Sequence, residues 1–319
     1  QRAGRPGQAL QAHQAFLASC TDARLRAYTL RQIERCRVAA GPAVVRRRPS
    51  RQLTAAQRAA LGRVEDHVSI ESSDHFVIRA RNGALAKLLA VEAERALQRI
   101  CHGLLGGQEY PHAVDIYVWP TRKAFRAHAA DAPDWAGASF TLAAGEALMT
   151  RRLDLTQLDA AGRLSGDMLD RMLPHELCHL VLREFFGDAH CPLFLDEGLA
   201  MLAEAGDGNA RVHLAGAALV GEDGLALREL LVRDRDSLRR PEVFYAEALS
   251  FTRYVRSRVT AGQFRGFLEH TKAGCSVPDA LQRALCVPPD RQFVRRLAAS
   301  WEDWAIAETQ FLRALEDGA

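Results

Sequence analysis

The stretch PHELCH at residues 174–179, followed by LDEGLA at residues 195–200, carries the strongest structural signal in this chain. On an α-helix, side chains four positions apart point about 40° apart around the axis, so His175 and His179 project from one face. Apolar residues flank the motif, and Gly187 is placed to end the helix. The stretch therefore predicts a helix that presents two imidazoles side by side.

A third metal-binding side chain is predicted on the next helix. The amphipathic stretch 193–205 carries Glu197, and a helix, a turn and a second helix bring this carboxylate back to the two histidines. Two neutral imidazoles and one carboxylate can hold zinc and leave a fourth position open for water. Glu176 lies beside them and can accept a proton from that water. The sequence therefore predicts one Zn²⁺ held by His175, His179 and Glu197, with Glu176 as general base.

Small residues near these ligands indicate close packing. Gly198 and Ala200 are predicted to let the motif helix and the Glu197 helix approach each other closely. Cys178 lies within the motif but off the face that the histidines share. We therefore expect it to be a small buried residue and not a ligand.

The sequence HELCH at 175–179 with FLDEGLAMLAE at 194–204 resembles the gluzincin superfamily of zinc metallopeptidases, and most closely its bacterial peptidase MA-like families. Upstream, VDIYVWP at 114–120 resembles a strand that precedes the motif in that group. Downstream, YAEALSF at 245–251 resembles the group's YxxSxSFxxYL helix. The likeness extends over residues 64–287. It implies zinc-dependent hydrolysis of peptide bonds in a peptide or protein substrate.

Two departures limit what the resemblance implies. The aminopeptidase signature GxMxN is missing before the motif, where residues 138–149 have the sequence ASFTLAAGEALM. The third-ligand sequence of thermolysin is missing as well. Aminopeptidase activity is therefore not implied.

A transition-state donor is predicted outside the ligand set. Tyr245 is the first candidate, because it opens a helix downstream of the ligands, where related zinc peptidases supply a tyrosine or histidine; His213 is the second. The alternative for Tyr245 is a core aromatic whose hydroxyl finds a backbone partner. Glu204 either orients a ligand histidine or lies on a solvated helix face. The segment Thr141–Arg151 is predicted to bind an extended substrate by strand pairing.

Length and composition are those of a globular enzyme. With 319 residues, 48% of them hydrophobic, the chain can bury one large core or two modest ones. No apolar run reaches the roughly 18 residues of a membrane span. The chain begins at Gln1 and not at methionine, which predicts a processed or trimmed product. We expect an extracytoplasmic bacterial protein, either periplasmic or secreted.

Positive charge is concentrated at the N-terminus. Residues 1–51 carry eleven arginines against two acidic residues, while the whole chain has a net charge of only +3. This segment is predicted either to contact acidic lipids, nucleic acid or the acidic remainder of the chain, or to be a solvated linker. Nucleic acid is not expected as a partner, because no basic surface interleaved with aromatic residues accompanies the charge. We expect the segment to pack on the rest of the protein.

The seven cysteines predict no second, structural zinc, because none of them forms a CxxC pair. The sequence does not decide whether any of the cysteines form disulfides. Cys20 and Cys36 fall on successive predicted helices, beyond bridging reach in an antiparallel hairpin. Cys275 and Cys286 bracket a short helix and face a milder form of the same constraint.

The pattern of elements predicts an α+β protein. A small mixed or antiparallel sheet of three to five strands packs on the motif helix and is followed by a mainly helical C-terminal half. The predicted divisions are a basic helical segment and linker at 1–62, an α/β subdomain at 63–163, and a helical subdomain at 164–319 that holds the motif. The metal lies between the sheet and the helical half.

Function is predicted as zinc-dependent peptide hydrolysis. Two alternatives stay open. One is a metal-binding protein that is inactive or is a zymogen covered by its N-terminal helices. The other is an interaction module without catalytic activity on the same fold.

Overall fold

The computed structural model of the chain describes residues 51–129, 136–144, 149–206, 208–221 and 223–317. The two predicted N-terminal helices lie outside these residues, as do Cys20 and Cys36. The predictions made for them therefore stay predictions.

A five-stranded mixed sheet forms the first half of the described chain. Its strands are β1 (Ser69–Ser72), β2 (Phe76–Ala80), β3 (Val114–Trp119), β4 (Ala138–Ala144) and β5 (Met149–Thr156). They are ordered β1-β2-β3-β5-β4. The three central strands run parallel, and each edge strand is antiparallel to its neighbour. Alternate residues of β3 are buried, which is the pattern of a strand with one face against a core.

Helices make up most of the remaining structure, and the α+β class is confirmed. The eleven α-helices of the described residues are α1 (Ala55–Gly62), α2 (Gly83–Gln98), α3 (Arg122–His128), α4 (Leu173–Phe186), α5 (Leu193–Ala203), α6 (Asn209–Val220), α7 (Leu227–Val232), α8 (Pro241–Arg258), α9 (Ala261–Lys272), α10 (Val277–Ala284) and α11 (Phe293–Asp317). Among these helices, none combines the length and apolar character needed to cross a bilayer.

Helix α4 contains the HELCH motif and packs on β4 and β5. A short π-helical segment, Met168–Met172, leads into it, and Pro174 occupies its first turn, where a missing backbone N–H costs nothing. Gly187 ends the helix with φ of +60°, a conformation that glycine adopts without strain. These signals fix the start and end of α4, and so the positions of its two histidines.

Gly198 brings two helices of the C-terminal half into close contact. A Cβ atom at this position would lie 2.7 Å from the carbonyl oxygen of Ala248 and would overlap the hydroxyl of Thr252. Both residues belong to α8. The close approach that Gly198 permits is therefore between α5 and α8, and the prediction that it serves the contact with the motif helix is wrong.

One hydrophobic core joins the sheet to the helical half. It runs from Leu61 to Ala305 and includes Cys178, which is fully buried, as predicted. The predicted boundary between an α/β subdomain ending at residue 163 and a helical subdomain beginning at residue 164 stays a prediction. The five cysteines of the described residues are free thiols, so Cys275 and Cys286 form no disulfide.

Candidate metal centre

The three predicted ligands meet where α4 faces α5. His175 lies in the first turn of α4, His179 lies one turn later, and Glu197 lies in the middle of α5. The Nε2 atoms of the two histidines are 3.1 Å apart, and Oε2 of Glu197 is 3.7 Å from each of them. His179 and Glu197 are buried, and His175 is partly exposed. The group can bind a metal ion.

A carboxylate holds the far side of each imidazole. Nδ1 of His179 lies 2.8 Å from Oδ1 of Asp196, and Nδ1 of His175 lies 2.9 Å from Oε1 of Glu204. An ionised carboxylate only accepts hydrogen bonds, so each histidine donates from Nδ1, and in its neutral form it has a lone pair on Nε2. Two nitrogen lone pairs and one carboxylate oxygen therefore converge on the same point. A cation bound at this point would be stabilised by all three atoms.

Glu204 is anchored from three sides. Besides His175, its carboxylate accepts from Nη1 of Arg211 at 2.7 Å and from Nε of Arg171 at 3.4 Å. Burial alone would raise the pKa of Glu204, but the hydrogen bonds and charges of His175 and Arg211 lower it to about 2. The carboxylate is therefore ionised and orients the histidine. The alternative prediction of a solvated face residue is wrong, since Glu204 is only 5% exposed.

Asp196 was not predicted. It occupies the position before Glu197, and consecutive residues on a helix point about 100° apart, so the two carboxylates address different atoms. Glu197 turns toward the two Nε2 atoms, while Asp196 reaches Nδ1 of His179. An acidic residue beside a predicted ligand is a weak signal. Only the relative placement of α4 and α5 turns it into a contact.

The centre carries an excess of negative charge. Burial lowers the pKa of His179, but the charge and hydrogen bond of Asp196 and the charge of Glu197 outweigh it and raise the pKa to about 9. Burial also raises the pKa of Glu176, and Glu197 adds to that effect, while the two histidines oppose it. Without a metal, the cluster attracts a proton instead. Its electrostatics therefore favour a positive charge between the ligands.

Two more side chains lie near Glu197. Nη2 of Arg235, which the sequence did not single out, donates to Oε1 of Glu197 at 2.7 Å. Tyr245 lies in the second turn of α8 and is partly buried. Burial raises the pKa of its hydroxyl, the charge of Glu197 raises it further, and Arg235 opposes both effects. Tyr245 thus lies within electrostatic reach of the centre, and its catalytic role stays a prediction. His213, the second candidate, lies on α6.

An edge strand passes beside the ligands. Phe140 of β4 stacks on the ring of His179, with ring centroids 5.6 Å apart and planes 24° apart. β4 is the last strand of the sheet, so one of its sides pairs with no strand among the described residues. The predicted substrate-binding segment Thr141–Arg151 divides between two strands. Its first residues lie on this edge, but Met149–Arg151 belong to β5, inside the sheet.

The spacing of the ligand atoms fits a small tetrahedral ion. Atoms bound at about 2.0–2.2 Å to one such ion lie roughly 3.3–3.6 Å apart. The three observed separations, 3.1, 3.7 and 3.7 Å, lie on either side of this range. Shifts of a few tenths of an ångström in the three side chains would therefore bring their ligand atoms to the spacing expected around one such ion.

Comparison with known proteins adds nothing to this geometry. A scan against models of protein families gives no match, and a search of curated proteins gives no significant match either. The chemistry of the site therefore rests on its own residues.

Proposed function

We propose that this protein is a zinc-dependent peptidase of the gluzincin type. The supporting observation is the convergence of His175 Nε2, His179 Nε2 and Glu197 Oε2, with both Nδ1 atoms held by carboxylates. Two nitrogens and one oxygen suit Zn²⁺, whereas Mg²⁺ and Ca²⁺ prefer ligand sets made of oxygen alone. Three protein ligands are also the number that catalytic zinc sites use.

The three ligands would hold the zinc, and Glu176 would move the proton. A zinc ion bound here supplies a Lewis acid that polarises a carbonyl group and makes water more acidic. Glu176 follows His175 directly and belongs to the same turn of α4. Its carboxylate takes a proton from the attacking water and then delivers it to the nitrogen of the leaving amine. This shuttle leaves Glu176 ionised again after each turnover.

Tyr245 is proposed to donate to the oxyanion. As the carbonyl carbon becomes tetrahedral, its oxygen gains negative charge and needs a hydrogen-bond donor. The phenol hydroxyl is such a donor, and burial and then the charge of Glu197 raise its pKa, which supports a position near the ligands. His213 stays the second candidate.

The proposed substrate is a peptide or protein segment in an extended conformation. An edge strand can pair its free backbone groups with such a segment, and β4 carries Phe140 against His179. A chain bound along β4 would therefore pass beside the ligands. An extracytoplasmic location and the absence of a nucleic-acid partner stay predictions.

One contact favours the zymogen-like alternative. The basic N-terminal segment continues into the described residues at Arg51, whose backbone N–H donates to Oδ2 of Asp170 at 2.7 Å. The carbonyl of Asp170 accepts from the backbone N–H of Ala205 at 2.6 Å, one position after Glu204. The guanidinium of Arg51 pairs with the buried Glu92. Arg51, the last residue of the basic segment, is therefore joined through Asp170 to the residue after Glu204.

Zinc content and turnover test the proposal. We expect one zinc per chain in the wild type and in Glu176→Gln, and none in His175→Ala or His179→Ala, because Glu176 is not a ligand. Cleavage of a casein-like substrate should be lost in all three variants. Equal zinc in the wild type and His175→Ala would rule out a metalloenzyme built on these residues.

Removal of residues 1–50 separates the peptidase from the zymogen-like alternative. Arg51 is kept in the shortened chain because of its contacts with Asp170 and Glu92. Higher activity after trimming would identify the segment as an inhibitor. Unchanged activity and stability would identify it as an appendage. An interaction module without catalytic activity would bind no zinc and cleave nothing in either form.

A further inference from the structure

Arg235 contacts the metal centre from the solvent side. It begins a 3₁₀ turn, Arg235–Ser237, in the connection between α7 and α8. The side chain of Asp234 accepts from the backbone N–H of Ser237 at 2.9 Å and closes the turn. The Arg235 side chain is 55% exposed, yet its guanidinium reaches the carboxylate of Glu197, which is 5% exposed. A surface residue is thus tied directly to a buried ligand.

The two oxygens of Glu197 have different partners. Oε2 lies 3.7 Å from both histidine Nε2 atoms, whereas Oε1 accepts from Nη2 of Arg235 at 2.7 Å. One oxygen therefore faces the metal position and the other is held away from it. The guanidinium stays protonated at every pH at which proteins are folded, so it is always available as a charged donor to Oε1.

The different partners of Oε1 and Oε2 matter because a carboxylate can bind a metal through one oxygen or through both. Binding through both would add a metal bond that crowds the position a catalytic zinc site leaves open for water or substrate, and with that water bound it would raise the coordination number from four to five. A hydrogen bond to Oε1 from a charged donor is strong, and a second bond from Glu197 to the metal would compete with it for the electron density and orientation of Oε1. Residues that orient a ligand in this way usually contribute tenfold to hundredfold to metal affinity or activity.

We propose that Arg235 is a positioning residue that keeps Glu197 a ligand through one oxygen and so keeps the fourth metal position open. This role rests on the proposed zinc centre. It is not a contact with substrate. The rival explanation is that Arg235 only supplies positive charge to the metal-free cluster and is displaced when a metal binds. The two explanations predict opposite results when the guanidinium is removed.

The test compares Arg235→Met with the wild type, each loaded with Co²⁺ in place of zinc. Four-coordinate Co²⁺ absorbs visible light much more strongly than five-coordinate Co²⁺, so absorbance reports whether Glu197 binds through one oxygen or two. We expect Arg235→Met to lose much of the visible absorbance, and its zinc affinity in a chelator competition to fall by about tenfold. Arg239→Met is the matched control, because it removes an exposed positive charge four positions along the chain. It should match the wild type in both measurements.

An unchanged Co²⁺ spectrum in Arg235→Met, with equal or tighter zinc binding, would overturn the proposal and favour the displaced-charge explanation. Neither measurement uses peptide cleavage. A protein that binds metal but cleaves no peptide would therefore defeat the proposed function and leave the role of Arg235 intact. A wild type that binds neither metal would defeat the proposed function first.

Discussion

Glu204 and Glu247 are both buried glutamates of the helical half, yet their surroundings shift their pKa values in opposite directions. Glu204 supports the metal centre and meets His175 and Arg211 at 2.9 and 2.7 Å. Glu247, on α8, accepts the backbone N–H of Leu225, at 3.1 Å from each oxygen. The pKa of Glu204 is lowered to about 2, whereas burial raises that of Glu247 to about 7.

The difference shows that burial alone does not identify a functional acid. Removing a carboxylate from water always costs free energy, and neighbouring cations decide whether the charge persists. At the metal centre, His175 and Arg211 keep the carboxylate of Glu204 ionised. Beneath the loop at Gly224, where a Cβ atom would lie 2.7 Å from Oε1 of Glu247, no group of comparable strength contacts that acid within the described chain. The first region stabilises a charged carboxylate beside the predicted metal ligands, whereas the second shifts its carboxyl group toward the neutral form.

The largest effect in this comparison is expected from loss of a ligand. Glu197→Ala removes a charged ligand and leaves Arg235 facing the histidines, so zinc affinity should fall by well over tenfold. Titration of the zinc-loaded protein with a chelator measures it. Glu247→Ala, a change to the same residue type in the other region, should leave zinc affinity unchanged. Normal zinc binding by Glu197→Ala would mean that α5 does not supply the third ligand.

The next effect concerns rate and not metal affinity. Tyr245→Phe removes only the hydroxyl proposed to meet the oxyanion, so zinc content and fold should persist while kcat falls by about a hundredfold. Steady-state kinetics on any peptide found to be cleaved provides the measurement. Turnover at the wild-type rate would remove Tyr245 as the donor and make His213 the candidate.

A smaller effect on zinc affinity is expected from a change at Glu204, which accepts a hydrogen bond from Nδ1 of His175. Glu204→Gln keeps an acceptor for Nδ1 of His175 but loses the charge that Arg211 and Arg171 stabilise, so zinc affinity should fall by about tenfold. Glu247→Gln is the matched substitution in the other region and should leave zinc affinity unchanged. If both variants lose affinity equally, the metal centre has no special dependence on Glu204.

The smallest effect on catalysis, and the clearest effect of pH on stability, is expected at Glu247. Its pKa rises from 4.5 when unfolded to about 7 when folded, so the folded state binds the extra proton between these values. Stability from this group is therefore full below pH 4.5 and falls as pH rises, by about 3 kcal/mol once pH 7 is passed. Urea unfolding at several pH values should show this fall in the wild type relative to Glu247→Gln. A constant difference between the two proteins would show that Glu247 does not titrate in this range.

Much of the fold followed from local patterns. Alternation predicted strands at His75–Ala80 and Ala113–Trp119, where the structure has Phe76–Ala80 and Val114–Trp119, and helical periodicity together with Gly187 predicted α4. The sequence did not predict the strand order, in which β5 lies between β3 and β4. Pairing of strands depends on residues far apart in the chain. Short-range patterns carry little information about it.

The two histidine ligands were predictable because helix geometry is a local property of the chain. His175 and His179 share a face because the helix repeat places positions i and i+4 together, whatever surrounds them. Glu197 followed from a second amphipathic stretch and from the resemblance to zinc peptidases.

The tertiary structure alone decided what supports those ligands. Asp196 meets a histidine 17 positions away, Glu204 meets one 29 positions away, and Arg235 reaches a ligand 38 positions away. In each case the two residues do not share a helix or strand, so no helix or strand period relates them. Each contact exists because apolar packing sets α4, α5 and the turn before α8 at fixed distances. The sequence determined which atoms can bind a metal, because helix geometry is local, and the packed core determined how they are oriented and charged, because those partners come from separate elements.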